Sequence, residues 1–330
     1  MLLERKTRNS YTEDGIAELF TLELGSYKQW VMIRGENRNN PILLFLHGGP
    51  GTANIGIATD TQRNLESNFV VVNWDQLGAG LSYNKKIPSN ALTIDKMIDY
   101  TYELMEYLLQ RFGQDKLYLV GHSWGSLLGI LVTQKYPDMI EKYIGVSQMV
   151  DGKLNECFAY EYCLKRANET KNKKALDQLL QLGKPPYSDW MKGLQIRSTW
   201  SNKFGAAIKN GSLAKTYMLK MLRSKEYELV DIFKFMAGFT LSLETLWPEI
   251  MEINLFETVD TLKVPTHFFL GRYDFQAPSN LAEMYIKNLK VDSKKIVWFE
   301  ESAHLCQIEE QDKFAFELYN ACLKDSKADI

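Results

Sequence analysis

Residues 119–126 read Leu-Val-Gly-His-Ser-Trp-Gly-Ser, and this places Ser123 at the centre of a Gly-x-Ser-x-Gly pattern. The apolar run 116–120 before it predicts a β-strand, and the apolar positions from Trp124 to the stop at Pro137 predict a helix. The two glycines carry no Cβ, so the strand and the helix can pack closely around a strained turn that lifts the serine hydroxyl above the sheet edge. The pattern therefore predicts a nucleophile that transfers acyl groups through a serine ester.

A serine hydroxyl is a poor nucleophile unless an imidazole takes its proton and a carboxylate orients that imidazole. The sequence contains four histidines. His304 lies in a loop that follows the apolar run 295–299, which is predicted to be a strand, and from this loop an imidazole would reach Ser123. We therefore predict that His304 is the general base.

The other three histidines are expected to be structural. His47 follows the predicted strand 41–46 and is expected to brace a loop through its ring nitrogens. His122 adjoins the nucleophile and is expected to point away from it. His267 lies in an apolar run and is expected to be a buried residue of a strand.

The acid is expected at the end of a strand that lies between the nucleophile and the base in chain order. Asp274 directly follows the apolar run 265–270, with Gly271 to supply the turn, and we predict that it orients the base. Asp151 is the alternative, because it follows the apolar segment 143–146 and some enzymes of this architecture take their acid from that earlier strand.

The negative oxygen of a tetrahedral intermediate needs two hydrogen-bond donors. One is expected to be the backbone N–H of Trp124, the residue after the nucleophile. The second is expected from the loop His47-Gly-Gly-Pro-Gly51, in which the proline has no N–H, so Gly49 is the predicted donor. Two neighbouring glycines remain alternatives: Gly48 and Gly51.

Four segments together resemble the proline iminopeptidase branch of the α/β-hydrolases: His47-Gly-Gly-Pro-Gly51, Trp74-Asp-Gln-Leu-Gly-Ala-Gly80, Gly121-His-Ser-Trp-Gly-Ser126 and Gly271-Arg-Tyr-Asp274. The resemblance spans residues 20–150 and 255–320. It implies a serine hydrolase that works through an acyl-enzyme, namely an aminopeptidase that releases an N-terminal residue, of the proline type, from small peptides. Residue by residue, it implies a nucleophile, a base, an orienting acid and an oxyanion hole: Ser123, His304, Asp274, and Gly49 with Trp124.

The chain departs from the family pattern in three places. The family usually has Asp-Gln-Arg-Gly where this chain has Asp75-Gln-Leu-Gly78, and Gly-Gly-Ser-Trp-Gly where this chain has His122. The chain also lacks an equivalent of the family's Glu-Asn-His-Tyr-Phe segment, whose Glu helps to bind the free amino group of the peptide. Glu161 and Glu244 are the candidates for binding an ammonium group in its place.

Two other functions remain as alternatives. Without a carboxylate for the ammonium group, the same triad would suit a carboxylesterase or amidase that acts on small esters or amides. A non-catalytic ligand-binding protein of the same fold is the alternative from another class. Every catalytic part has a candidate residue here, and this favours an enzyme.

The order of the predicted elements indicates one discontinuous domain with an insertion. Strands and helices alternate in residues 1–150 and resume in 255–330, which predicts an α/β-hydrolase core with a mostly parallel sheet and helices on both of its faces. Residues 151–254 show helical patterns and no strong strand pattern. We therefore predict a helical cap there, which shapes the substrate pocket.

Composition and charge exclude several classes of protein. Basic residues number 39 and acidic residues 41, so no global field would draw the chain to nucleic acid or to an anionic membrane. No apolar run approaches the length of a membrane span and the amino terminus lacks a signal-peptide pattern, so a cytoplasmic protein is expected. The four cysteines show no metal spacing, and no cofactor or metal is predicted. Cys306 is interpreted either as a thiol that makes the enzyme thiol-sensitive or as a small apolar filler.

Overall fold

A computed structural model describes residues 5–9 and 12–324, and its centre is one eight-stranded sheet. The strands are β1 (Ile16–Leu24), β2 (Tyr27–Gly35), β3 (Ile42–Leu46), β4 (Val70–Asp75), β5 (Leu117–His122), β6 (Ile140–Val146), β7 (Thr266–Gly271) and β8 (Lys294–Phe299). The α-helices are α1 (Ile55–Thr61), α2 (Ile94–Phe112), α3 (Trp124–Lys135), α4 (Gly152–Glu169), α5 (Lys173–Leu182), α6 (Trp190–Lys203), α7 (Leu213–Arg223), α8 (Leu229–Glu252), α9 (Leu255–Thr258), α10 (Ser279–Asn288), α11 (Cys306–Glu309) and α12 (Gln311–Tyr319). Part of the amino-terminal segment on which the targeting prediction rests, residues 1–4, lies outside the described residues.

The strands follow the order β1-β2-β4-β3-β5-β6-β7-β8 across the sheet. β2 pairs antiparallel with β1 and with β4, and the other neighbouring strands pair in parallel. Parallel strands end at a common edge, so the segments that follow β3, β5, β6, β7 and β8 all meet there. The predicted mostly parallel sheet is confirmed.

Both faces of the sheet are buried, and successive side chains of a strand alternate between them. In β3, Ile42 and Leu44 join a core cluster that contains residues of α2 and α3. Leu43 and Phe45 join the cluster on the other face, which includes Phe314 of α12. Within the described part of the chain, no helix is long and apolar enough to cross a membrane.

The segment between β6 and β7 is an insertion in which the helices and strands that the structure describes are all helices, α4 to α9. Its two ends meet in an isolated antiparallel bridge between Asp151 and Asn254. Helix α6 is not evident from the sequence pattern. The physical reason is that its buried face includes Arg197 and Ser201, and these polar residues interrupt the apolar period of the helix.

Tyr227, between α7 and α8, joins the insertion to the sheet edge. Its hydroxyl donates a hydrogen bond of 2.6 Å to Oδ2 of Asp75, and the backbone N–H of Leu81 donates to the same oxygen. The backbone N–H groups of Asn54 and Ile55 donate to Oδ1 of Asp75. Burial nevertheless raises the pKa of Asp75 from 3.8 to about 6. Because the folded state holds this proton more tightly, the contribution of Asp75 to the free energy of unfolding falls between about pH 4 and about pH 6, and is level above that.

We expect Tyr227→Phe to lower the free energy of unfolding by about 1–3 kcal/mol at about pH 8, because the buried Asp75 carboxylate loses a donor. At about pH 4 most of the folded protein carries a protonated Asp75, so the loss should be smaller. Urea denaturation at both pH values measures the difference. Tyr217→Phe is the control, since burial alone raises the pKa of Tyr217, and its cost should not depend on pH. An equal cost of Tyr227→Phe at both pH values would contradict the role of Asp75.

Candidate active site

Ser123 occupies the turn between β5 and α3 with a φ of 55° and a ψ of −120°. In a non-glycine residue, a backbone conformation of this kind costs about 1–3 kcal/mol of conformational free energy. A Cβ at Gly121 would lie 2.2 Å from the carbonyl oxygen of Gly125, and a Cβ at Gly125 would lie 2.1 Å from that of Leu46. Both positions therefore require glycine, and the close packing presents a partly exposed Ser123 at the sheet edge.

His304 and Asp274 meet at the same edge of the sheet. Nδ1 of His304 lies 2.9 Å from Oδ2 of Asp274, and both side chains are buried. Oδ1 of Asp274 accepts hydrogen bonds of 2.9 Å from the N–H groups of Gln276 and Ala277. Because an ionised carboxylate only accepts, the proton of the neutral imidazole lies on Nδ1, and Nε2 is left to accept a proton.

Asp151, the alternative acid, makes a different contact. It is the N-cap of α4, and its Oδ1 accepts a hydrogen bond of 2.8 Å from the backbone N–H of Leu154. Such a bond satisfies one of the donors that the first turn of a helix leaves free. The geometry favours Asp274 as the partner of the imidazole.

The loop 47–51 lies directly against the turn that carries Ser123. A Cβ at Gly48 would lie 3.2 Å from the Cβ of Ser123. Gly49 has a φ of 116°, which a residue with a Cβ rarely adopts. Trp124 is the buried first residue of α3. The two segments that carry the predicted oxyanion donors therefore both adjoin the serine.

Gln76 connects these two segments and is not among the residues predicted for the site. Its Oε1 accepts a hydrogen bond of 2.9 Å from the indole Nε1 of Trp124, and its Nε2 donates one of 3.3 Å to the carbonyl of His47. Its backbone N–H donates to Nε2 of His47 at 3.1 Å. The side chain of Gln76 thus fixes the distance between the loop 47–51 and the start of α3. The signal was present in the segment Asp75-Gln-Leu-Gly78.

His47 and His267 lie where the sequence indicated. Since Nε2 of His47 accepts a hydrogen bond, its Nδ1 carries the proton and donates to the carbonyl of Gly48 at 2.9 Å. Burial lowers the pKa of His47 to about 4, so the ring is neutral and braces the loop. His267 is a buried residue of β7.

His122 is predicted to point away from the nucleophile, and its ring lies beside that of the predicted base, His304. Its ring centroid lies 4.8 Å from that of His304, and its Nε2 lies 2.9 Å from the carbonyl oxygen of His304. Burial, and then the nearby His304, lower the pKa of His122 to about 3.

Glu161 and Glu244, the candidates for binding an ammonium group, are both exposed to solvent. Glu161 is exposed on α4 and its Oε1 lies 3.8 Å from Nζ of Lys184. Glu244 is exposed on α8. Ser242, two residues earlier, packs against the loop 47–51, and two residues correspond to about 200° around a helix, so Glu244 faces away from that loop. Glu244 therefore faces away from the loop of the predicted oxyanion donor, and Glu161 lies on an exposed face of α4 beside Lys184.

Helices α4 and α6 of the insertion hold the loop that carries Asp274. Oε1 of Gln276 accepts hydrogen bonds from Arg197 at 3.1 Å and from Ser201 at 3.0 Å. Arg197 is buried and forms an ion pair with Glu156. Because the N–H of Gln276 donates to Asp274, this polar network reaches the carboxylate that orients the imidazole.

Cys306 lies two residues after His304 and is buried in the core cluster that contains α12. Burial raises the pKa of its thiol well above the usual range. A thiol with a raised pKa forms little thiolate, so the structure favours the apolar filler over a reactive group. Among residues 5–9 and 12–324, no three His, Cys, Asp or Glu side chains are grouped so as to hold a metal ion.

Residues 41–184 match a protein family described as the α/β-hydrolase fold. Over 301 residues the chain is 37% identical to a protein of Bacillus subtilis (strain 168) named probable aminopeptidase YbaC, and the match covers 91% of this chain and 94% of the relative. The chain belongs to the α/β-hydrolase family. The predicted family and fold are confirmed, and the protein is a hydrolase.

Two more distant comparisons agree with an α/β hydrolase. The chain is 26% identical over 310 residues to a proline iminopeptidase of Saccharolobus solfataricus, and the match covers 92% of this chain and 89% of the relative. The crystal structure of a proline iminopeptidase of Mycobacterium smegmatis matches with a TM-score of 0.67 at 15% identity, over 95% of this chain and 100% of the other. At that identity the structural likeness shows the fold alone.

Proposed function

We propose that this α/β hydrolase is a serine aminopeptidase that releases an N-terminal residue, with proline as the first residue to test, from small peptides. The observation that carries the proposal is the strained turn of Ser123 at the same sheet edge as an imidazole whose Nδ1 is bonded to buried Asp274. Two relatives support the choice of peptides, because they are named a probable aminopeptidase and a proline iminopeptidase.

In the proposed reaction, Nε2 of His304 takes the proton of Ser123 as its Oγ attacks the carbonyl carbon of the substrate. Asp274 stabilises the imidazolium that forms. The N–H groups of Gly49 and Trp124 donate to the negative oxygen of the tetrahedral intermediate. His304 then gives its proton to the leaving amine, and it afterwards activates the water that hydrolyses the acyl-enzyme.

We also propose the division of the chain into a core of residues 1–150 and 255–330 and a helical cap of residues 151–254. The bridge between Asp151 and Asn254, where the insertion begins and ends, supports these boundaries. Such a cap would cover the site and shape its pocket. A cytoplasmic location stays a prediction, as does the absence of nucleic-acid and membrane partners.

A carboxylesterase or amidase is the second candidate function. The exposed positions of Glu161 and Glu244 favour it, because neither side chain offers a carboxylate to a substrate ammonium at the site. Both candidate functions use the same nucleophile, base and acid. They differ in whether the substrate needs a free amine.

The experiment compares amino-acyl p-nitroanilides, including that of proline, with their N-acetylated forms and with short-chain p-nitrophenyl esters. We expect acetylation to lower kcat/KM by about ten- to a hundredfold, the value of a charge-assisted hydrogen bond of about 1.5–3 kcal/mol. Glu161→Gln and Glu244→Gln are matched controls. Because both side chains are exposed away from the site, neither should change this ratio.

Equal rates with free and acetylated amines, or hydrolysis of esters alone, would replace the aminopeptidase by the esterase. A loss of the free-amine preference in either Glu variant would restore that carboxylate as the ammonium ligand. No hydrolysis of any substrate, together with no labelling by a fluorophosphonate, would favour the non-catalytic ligand-binding protein.

A further inference from the structure

We propose that His122 and Ser147 are positioning residues that hold the main chain of His304 by its carbonyl oxygen. The inference rests on the proposed role of His304 as the base. This carbonyl oxygen lies 2.9 Å from Nε2 of His122 and 3.0 Å from Oγ of Ser147. A carbonyl only accepts, so both side chains donate, and neutral His122 carries its proton on Nε2.

The backbone of Ser147 gives independent support. Ser147 directly follows β6, is fully buried, and has a φ of 49°, in the left-handed region that favours glycine. Its N–H donates to the carbonyl of Phe269 at 2.9 Å, which fixes the position of this turn. A glycine would adopt the same backbone at lower cost but would lack the hydroxyl. The strained residue Ser147 is therefore the one whose hydroxyl donates to the carbonyl of His304.

His122 contacts the base through its side chain and is joined to the nucleophile by one peptide bond. Its ring packs beside that of His304 at an interplanar angle of 49°, and the next residue is Ser123. The turn that presents the nucleophile thus also holds the base. When His304 becomes an imidazolium, a second positive ring at 4.8 Å would oppose the charge, and burial keeps His122 neutral.

The N–H, the ring and the carbonyl of His304 are each held by different partners. Its N–H donates to the carbonyl of Ala207, in the segment between α6 and α7, at 3.2 Å. Its ring is held by Asp274, and its carbonyl by His122 and Ser147. Release of the carbonyl would let the main chain shift and carry Nε2 away from Ser123. A displacement of about 1 Å can cost about a hundredfold in rate, so the positioning should act on kcat rather than on KM.

The first test measures kcat and KM of His122 variants with the p-nitroanilide or p-nitrophenyl ester that the wild-type protein hydrolyses best. His122→Phe keeps a ring beside His304 and removes the donor, so we expect kcat to fall about tenfold with KM within about twofold. His122→Gln should restore most of kcat, since its amide nitrogen is three bonds from Cβ, as Nε2 of histidine is. His122→Asn should not, because its nitrogen is one bond nearer to Cβ.

The second test separates the hydroxyl of Ser147 from its backbone strain. Ser147→Ala keeps the strain and loses the donor, whereas Ser147→Gly loses both. We expect the glycine variant to have the higher Tm and both variants to lose about tenfold in kcat. Combining His122→Phe with Ser147→Ala should cost at least about a hundredfold, because no side-chain donor then holds the carbonyl of His304.

Unchanged kcat in His122→Phe, or no difference between the glutamine and asparagine variants, would overturn the role of His122. Full recovery of kcat in Ser147→Gly would show that the hydroxyl is not used. These failures differ from a failure of the proposed function. A wild-type protein that neither hydrolyses the substrates nor reacts with a fluorophosphonate would reject the function itself, whereas an active wild type with indifferent variants rejects only the positioning.

Discussion

Ser123→Ala should reduce turnover by at least about 10⁴-fold and abolish covalent labelling by a fluorophosphonate probe. The reason is that Oγ of Ser123 forms the proposed ester, and alanine has no oxygen at this position. We expect the turn to keep its shape with alanine. Labelling detected by mass spectrometry, together with kcat on the best p-nitrophenyl substrate, measures both effects. Ser89→Ala is the control, because Ser89 is an exposed serine and its loss should change neither result. Undiminished turnover in Ser123→Ala would end the serine mechanism.

His304→Ala should reduce turnover to a similar extent, since the base and the nucleophile act as a unit. His267→Ala is the comparison, because His267 is buried in β7 and makes no part of the proposed mechanism. Its activity per folded molecule should stay near that of the wild type. A fully active His304→Ala beside an inactive His267→Ala would move the base to His267.

Asp274→Asn should lower kcat by roughly 10⁴-fold in a folded protein, as expected for loss of the orienting acid in a Ser-His-Asp triad. The asparagine oxygen would still accept the N–H groups of Gln276 and Ala277, so the loop should keep its shape. The amide nitrogen would then face Nδ1 of His304 and donate to it. The imidazole proton would move to Nε2, and that nitrogen would no longer accept the proton of Ser123.

The matched control is Asp151→Asn, in which the alternative acid is changed in the same way. Asparagine caps a helix about as well as aspartate, so α4 should keep its N-cap and kcat should stay near the wild-type value. Circular dichroism confirms that both variants are folded, and steady-state kinetics ranks them. The reverse ranking would move the acid from β7 to the end of β6.

The sequence predicted the regular elements well wherever their own residues determine them. In α2, for example, Thr93 caps the start, Gly113 adopts the left-handed conformation after the end, and the apolar positions follow one face. The predicted strands 41–46, 116–120, 265–270 and 295–299 correspond to β3, β5, β7 and β8 within about two residues at each end. The segments 47–51 and 121–126 were predictable because they contain glycines at positions where a Cβ would clash or where φ is positive.

Features that depend on distant parts of the chain were not predictable in this way. The orientation of His122 is set by the carbonyl of a residue 182 positions later. The outward direction of Glu161 and Glu244 follows from how α4 and α8 pack, which no local pattern states. The two buried charges Glu156 and Arg197 carry no signal in the sequence, because a charged residue is ordinarily exposed and only its partner makes burial tolerable.

The contacts between the insertion and the Asp274 loop limit how freely this enzyme could be redesigned. Besides the bonds from Arg197 and Ser201 to Gln276, the ring of Tyr162 on α4 stacks on that of Phe275 at 4.0 Å. A chimera that replaced residues 151–254 by the cap of another hydrolase would remove these contacts and loosen the loop that orients the base. Under the proposed function, new specificity is therefore better introduced by single substitutions in this segment than by exchange of all of it, since α4 and α6 also hold the loop of Asp274.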